Sequence, residues 1–122
     1  MTVTFKFKYE TLKDMPILVR SLVFNHSAWI VGGAAKFMCG LTSGLPKDWD
    51  LIVPPYEWVR ASKLFPTGSC VNTMGGIKVI NDGCVIDIWA SDLGDHFLNS
   101  YGPYELLAVS PKNQQVCFCT NK

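Results

Sequence analysis

The sequence predicts an α/β (α+β) fold in which helices pack on a mixed, twisted β-sheet. The main indication is the order of the hydrophobic patterns, which alternate between strand and helix three times and then become mostly strands. The chain has 122 residues, of which 48% are hydrophobic, so it can bury a substantial core. It contains no internal repeat, linker or low-complexity tract. We therefore expect residues 1–122 to form one domain.

Charge and cysteine content narrow the class of protein. The formal net charge of +1 excludes a strongly basic nucleic-acid surface, although it leaves room for a local basic patch. No apolar run approaches the length of a membrane span, and the N-terminus lacks the pattern of a signal peptide. We expect a cytoplasmic protein with no membrane association. The five cysteines include no Cys-x-x-Cys motif, which favours buried, reduced thiols.

The N-terminal quarter is predicted to form a strand and then a helix. Apolar and polar residues alternate over residues 3–9, which is typical of a half-buried strand. Apolar positions over residues 15–25 follow a helical spacing, with Asp14 as the expected cap and Pro16 in the first turn.

The rest of the chain alternates between predicted strands and short helices. An Asn81-Asp82-Gly83 turn is expected to join two strands into a hairpin, because glycine accepts positive φ without steric cost. Asp92 is the expected cap of the last helix. The predicted strands cover residues 28–31, 48–53, 77–80, 84–89, 106–109 and 115–119, with a further extended segment near 69–73. The predicted helices run from Gly32-Gly33 to near Gly40, from Pro55 to about Phe65, and over residues 93–100.

Three carboxylates are candidate catalytic residues and metal ligands. Side chains two apart in a strand share a face, so Asp48 and Asp50 point together while Trp49 points to the other side. Asp87 lies inside the apolar strand Val85–Trp89 and needs only a neighbouring strand to join them. Carboxylates brought this close raise one another's pKa, and bound cations remove that cost. The pattern therefore predicts a site for two Mg²⁺ ions, suited to the transfer of a group from a nucleoside triphosphate.

A glycine turn and two lysines are candidate nucleotide-binding residues. Gly32 and Gly33 follow an apolar strand and open a helix, where backbone N–H groups approach phosphates closely. Lys36 on the first turn of that helix and Lys47 beside Asp48 are expected to contact phosphate oxygens.

These motifs resemble the nucleotidyltransferase fold superfamily that includes DNA polymerase beta, and within it the head domain of poly(A) polymerases and tRNA CCA-adding enzymes. The resemblance covers roughly residues 28–89 and extends to the Gly75–Lys78 stretch before the third carboxylate. It implies that Asp48 and Asp50 hold both metal ions and that Asp87 completes the second site near the attacking hydroxyl. It also implies that Gly33 contacts the triphosphate.

Two departures from that family pattern bear on the substrate. The tRNA-type head has Arg-Asp shortly after its glycine pair, whereas this chain has Lys36-Phe37, and lysine holds a phosphate as a point charge rather than a bidentate fork. The chain continues for only about 35 residues after Asp87, too few for the helical neck and body that select the base and hold the acceptor. We expect a minimal head whose site is completed by a partner protein or by a second copy of the chain.

The predicted activity is the Mg²⁺-dependent transfer of a nucleoside monophosphate from an NTP to an acceptor hydroxyl, with release of pyrophosphate. The acceptor is left open among RNA, protein and small molecules, including the modification of an antibiotic or a protein side chain. The alternative is a catalytically silent protein of the same fold that binds a nucleotide or a protein partner.

Overall fold

The computed structural model describes residues 6–66, 69–71, 75–99 and 105–120. The α-helices are α1 (Ile17–His26), α2 (Gly32–Met38), α3 (Trp58–Ser62) and α4 (Leu93–Asn99), and 3₁₀ turns cover Tyr9–Asp14 and Pro55–Glu57. The strands are β1 (Trp29–Val31), β2 (Asp48–Val53), β3 (Cys70–Val71), β4 (Ile77–Asn81), β5 (Cys84–Ala90), β6 (Glu105–Ser110) and β7 (Gln115–Thr120). In these ranges, every helix is too short or too polar to cross a bilayer.

The strands form one mixed sheet in the order β3-β4-β5-β2-β1-β6-β7. Strands β2 and β5 run parallel, and the other pairs among the described strands are antiparallel. The chain crosses over between β2 and β5 through α3 and the β3–β4 segment. The predicted mixed α/β class is confirmed, and the crossover brings two strands that are distant in sequence to the centre of the sheet.

The two faces of the sheet are covered to different extents. On one face, called here the core face, residues of α1, α2 and α3 pack on the strands and form the main hydrophobic cluster. On the other, called here the carboxylate face, a small apolar cluster of Val31, Ile52 and Ala108 is covered by Trp29, Trp89 and Leu93 of α4. Asp48, Asp50, Asp87 and Lys78 lie on this face beside the small cluster, because the side chains of each strand alternate between the two faces.

The strand predicted over residues 3–9 is wrong in the described part of that range. Residues 6–8 lie outside any strand, and Tyr9 begins a 3₁₀ turn. The backbone N–H of Lys8 donates to the carbonyl of Met38 at 2.7 Å, and Phe7 packs against the main cluster. Phe7 is thus accommodated by packing against the main cluster beside the end of α2 rather than by a β-ladder. Residues 1–5 lie outside the described residues.

Helix α1 is capped from elsewhere in the chain and not by Asp14, which ends the 3₁₀ turn. Pro16 occupies the N-cap position and makes no side-chain cap. The N–H of Ile17 donates to Asp82 Oδ2 at 3.2 Å, and the N–H of Leu18 donates to Asn81 Oδ1 at 3.3 Å. The β4–β5 turn therefore satisfies two donors that a helix start leaves unpaired.

The other local signals are mostly confirmed. Asp82 and Gly83 have φ of 52° and 75°, as a tight hairpin turn requires, although Asn81 belongs to β4 and the connection has two residues rather than three. Asp92 caps α4, since its Oδ1 accepts the N–H of Asp95 at 2.7 Å. Helix α3 ends at Ser62, earlier than the expected Phe65.

Candidate active site

The parallel pairing of β2 with β5 brings two of the predicted carboxylates side by side. Asp50 and Asp87 are direct partners in the ladder, so their side chains project from neighbouring positions of the carboxylate face. Asp48 pairs with Val85 and lies two residues from Asp50 on the same face. Between the two, Trp49 points to the core face and is fully buried. The alternation expected from the sequence therefore places all three acids on one surface.

The same row of the sheet continues with a lysine. Strand β4 pairs antiparallel with β5, and Lys78 is the direct partner of Asp87. On the other side of Asp50, the partner on β1 is Val31. The row across the sheet is therefore Lys78, Asp87, Asp50 and Val31, which places one cation at the β4 end of the carboxylate group.

Gly32 gives Asp50 the space that its carboxylate occupies. Its φ is +69°, a conformation that other residues rarely adopt, and it opens α2 directly after β1. A Cβ at this position would lie 2.8 Å from Asp50 Oδ2. The carboxylate thus lies against the backbone of the glycine turn, where a larger residue would displace it.

Asp50 carries the clearest electrostatic perturbation of the three acids. Burial raises its pKa from the usual 3.8 to about 6, and the negative charges of Asp87 and Asp48 act in the same direction. Lys78 opposes the rise. The net balance at Asp50 therefore disfavours its ionised form.

A groove of about 390 Å³ opens beside two of these acids. Its walls are helix α2, through Gly33 and Phe37, and the loop of residues 42–47; Asp48 and Asp50 line it as well. A Cβ added at Gly33 would meet no atom within 4 Å, which leaves the backbone accessible from the groove. We call this space the small groove.

The small groove contains one of the two predicted lysines. Lys47 lines it, and its carbonyl accepts the N–H of Val85 at 2.8 Å, which fixes Lys47 at the start of β2 beside Asp48. Lys36 is half-buried on α2 and does not line the groove. The structure therefore brings Gly33, Lys47, Asp48 and Asp50 together and leaves Lys36 outside this space.

The carboxylates supply the hard oxygen donors that Mg²⁺ prefers. Burial, and then the charges of Asp87 and Asp48, raise the pKa of Asp50, and a cation bound beside it would favour its ionised form. Within residues 6–66, 69–71, 75–99 and 105–120, however, no three His, Cys, Asp or Glu side chains converge as metal ligands do. The donor chemistry fits magnesium, and the side chains are not drawn together at ligand distance.

Two parts of this site were missed by sequence reasoning. The first is the placement of Lys78 beside Asp87, which a two-residue hairpin loop implies because Asn81 then pairs with Cys84. The second is the wall formed by Phe37 and the loop of residues 42–46, for which no local pattern gives a signal.

No protein-family model matches the chain, and no curated protein or solved structure matches it either. The chemistry of the site is accordingly argued from the strand register, the charges and the groove.

Proposed function

We propose that the protein is a Mg²⁺-dependent nucleotidyltransferase of the nucleotidyltransferase fold, which moves a nucleoside monophosphate from an NTP to an acceptor hydroxyl. One observation carries the proposal. Asp50 and Asp87 are ladder partners on parallel strands, Asp48 shares their face, and the small groove beside them is lined by Gly33 and Lys47. A negatively charged cluster next to a groove with an accessible backbone turn and a cation suits a metal-bound polyphosphate.

In this proposal Asp48 and Asp50 would hold two Mg²⁺ ions, and Asp87 would complete the second site. When bound, the ions would neutralise the triphosphate and stabilise the charge that develops during an in-line displacement. The position of Gly32 matters here, since the absence of a Cβ lets the Asp50 carboxylate lie against the turn. A larger residue at Gly32 would therefore shift the Asp50 carboxylate, a proposed metal ligand, without changing its chemistry.

Residues of the chain would bind the triphosphate and accept the proton of the acceptor hydroxyl. The backbone of Gly33 and the ammonium of Lys47 would hold the β- and γ-phosphates along the small groove. The oxygen of the acceptor hydroxyl attacks the α-phosphorus, the bond from that phosphorus to the bridging oxygen breaks, and pyrophosphate leaves. The hydroxyl proton passes to the Asp87 carboxylate and then to solvent. A partner protein or a second copy would supply the acceptor-binding surface.

Isothermal titration calorimetry tests the proposed triphosphate site. Non-hydrolysable analogues of ATP, GTP, CTP and UTP are titrated into the protein with and without Mg²⁺. We expect at least one analogue to bind only with Mg²⁺ and to lose at least about tenfold in affinity in Asp48→Ala, because each lost carboxylate weakens the metal site. Asp95→Ala removes an exposed carboxylate of α4 and is the matched control.

The outcomes separate an enzyme from a silent relative. Metal-dependent binding that survives in the control and is lost in Asp48→Ala supports the proposal and justifies a search for the acceptor. Circular dichroism must show that Asp48→Ala stays folded, which we expect because Asp48 is exposed at the start of β2. Absence of binding for all four analogues, or equal binding without Mg²⁺, contradicts the proposal and favours an interaction protein without catalysis.

A further inference from the structure

A second groove, of about 750 Å³, adjoins the small groove. One wall is the N-terminal segment from Lys8 to Asp14, and the other is formed by residues 40–45 at the end of α2. We call it the large groove. The two grooves share Phe37, Thr42, Ser43 and Leu45. The two grooves therefore adjoin along these four residues.

The two grooves differ in charge. In the large groove the cations Lys8 and Lys13 are balanced by the anions Glu10 and Asp14. In the small groove the charged lining residues are Lys47, Asp48 and Asp50, which suit a metal-bound polyphosphate. A phosphate group gains no net attraction from the large groove, so that space fits an uncharged part of a ligand.

The large groove also presents apolar side chains to solvent. Leu41 and Leu45 are 49% and 67% exposed, and Phe37 packs with one side against the core while it lines both grooves. Exposed apolar side chains around a concave space favour a flat, weakly polar group. The hydroxyls of Thr42 and Ser43 offer hydrogen bonds at the same wall.

The wall beside α2 is closely packed rather than loose. Gly40 has φ of +76°, and a Cβ there would lie 2.5 Å from Lys8 Cε. The Lys8 side chain thus lies directly over the glycine that ends α2, and the Lys8 N–H donates to Met38 at 2.7 Å. These contacts hold the N-terminal segment against α2, so that the groove exists before any ligand binds.

From this continuity, charge balance and lining we infer that the large groove binds the nucleoside part of the NTP whose triphosphate lies in the small groove. The inference rests on the proposed function. The base would lie among Phe37, Leu41 and Leu45, and the hydroxyls of Thr42 and Ser43 would contact the edges of the base and the sugar. This chain would then bind a nucleoside without the separate base-selecting domain.

Calorimetry with two ligands of equal charge tests the inference. In the presence of Mg²⁺, the protein is titrated with a non-hydrolysable ATP analogue and with methyl triphosphate, which lacks the nucleoside. We expect the ATP analogue to bind at least about tenfold more tightly. In Leu41→Ser this advantage should fall about threefold to tenfold, while the affinity for methyl triphosphate stays within about twofold, because Leu41 lines only the large groove. Leu41→Met should restore most of the advantage.

Leu64→Ser is the matched control, because Leu64 is a 39% exposed leucine that lines neither groove. Equal affinities for the two ligands in the unsubstituted protein would overturn the inference and leave the triphosphate site intact. A Leu41→Ser variant that weakens both ligands equally would overturn it as well. If the ATP analogue does not bind, the GTP, CTP or UTP analogue that binds takes its place in the comparison. If none of the four analogues binds, the proposed function fails and this inference fails with it.

Discussion

The core face and the carboxylate face of the sheet are built from the same strands but differ in how deeply their side chains are buried. On the core face, Trp49, Leu51 and Ile86 are fully buried beneath three helices. On the carboxylate face, their immediate neighbours Asp50 and Asp87 are partly accessible, and Asp50 lines the small groove. Burial stabilises the fold on the first face, whereas on the second it raises the pKa of Asp50 and acts against the charged form.

Within a single strand, neighbouring residues therefore have different roles: one contributes to stability and the next to the proposed chemistry. In the run of residues 48–50, one side chain anchors the strand in the core and its two neighbours carry the proposed activity. The packing of Trp49 fixes the direction of both acids, since a shift of one residue in register would exchange the faces. The core face is thus the support on which the carboxylates depend. Removal of the Trp49 side chain and removal of the Asp50 charge should therefore have opposite effects on stability.

The largest effect is expected at the core face. Trp49→Ala should lower the free energy of unfolding by about 3–5 kcal/mol, because it leaves a cavity beneath α1 and α2. Trp89→Ala on the carboxylate face should cost less than half as much, since Trp89 is only half-buried and packs against a small cluster. Urea denaturation of both variants measures the difference. Trp49→Phe provides a measurable substitute if Trp49→Ala does not fold.

Equal losses at the two tryptophans would contradict the comparison, because they would show that the carboxylate face is packed as tightly as the core face. The indole N–H of Trp49 has no hydrogen-bond partner among the described residues. Trp49→Phe removes this buried donor along with part of the ring, so its loss should be smaller than the volume change alone implies.

The second-largest predicted effect is an increase in the free energy of unfolding. Asp50→Asn should raise the free energy of unfolding at pH 7.5 by about 1–2 kcal/mol, after allowance for solvent screening. The native carboxyl has a pKa of about 6 against 3.8 for the ordinary group, so it takes up a proton before the unfolded chain does as the pH falls. The stability that protonation gives is present below about pH 4 and is lost as the pH rises through 6. The variant should therefore gain nothing near pH 4.

Thermal unfolding followed by circular dichroism between pH 4 and pH 8 measures this gain. Asp95→Asn is the control, since it removes an exposed carboxylate from α4 and should show no such pH-dependent increase. If Asp50→Asn were less stable than the original protein at pH 7.5, the carboxylate would be a structural hydrogen-bonding group and not a destabilised charge. A stabilised variant that also loses Mg²⁺-dependent nucleotide binding would show the usual opposition between stability and function.

Much of the fold followed from local patterns, and the exceptions have a common cause. Strand β2 was predicted with its observed bounds, because turn residues delimit it and Trp49 and Leu51 give it a clear buried face. The strand predicted over residues 3–9 was wrong because the same alternation also suits an irregular segment packed beside α2. Periodicity reports which side chains are buried, and it does not report whether a partner strand is available.

In the candidate site, too, local patterns predicted some residues and missed those whose positions depend on register or tertiary packing. The three acids and the glycine turn were predicted because each lies in a strand or at its end, where a two-residue period sets direction. Lys78 was not placed beside Asp87, because a three-residue turn was expected and the actual two-residue loop shifts the β4–β5 register. The grooves were not predicted either, since their walls come from loop residues whose positions depend on tertiary packing.

The smallest predicted effect concerns the turn that connects the two faces. The β4–β5 hairpin carries Lys78 and Asp87 on the carboxylate face, while Asp82 in its turn accepts the N–H of Ile17 at the start of α1 on the core face. Asp82→Gly should lower the free energy of unfolding by about 1 kcal/mol, the typical value of a helix cap. Glycine tolerates the φ of 52° found at this position, so the substitution introduces no backbone strain.

Asp82→Asn is the matched variant, because asparagine keeps an acceptor oxygen and also tolerates positive φ. Urea denaturation should place it within about 0.3 kcal/mol of the original protein. If Asp82→Gly were equally stable, water would satisfy the N–H of Ile17 and the turn would not couple the faces. If instead Asp82→Gly lowers both the free energy of unfolding and the nucleotide affinity, the contact between this turn and α1 also positions Asp87. The core face would then support the carboxylates through the hairpin as well as through Trp49.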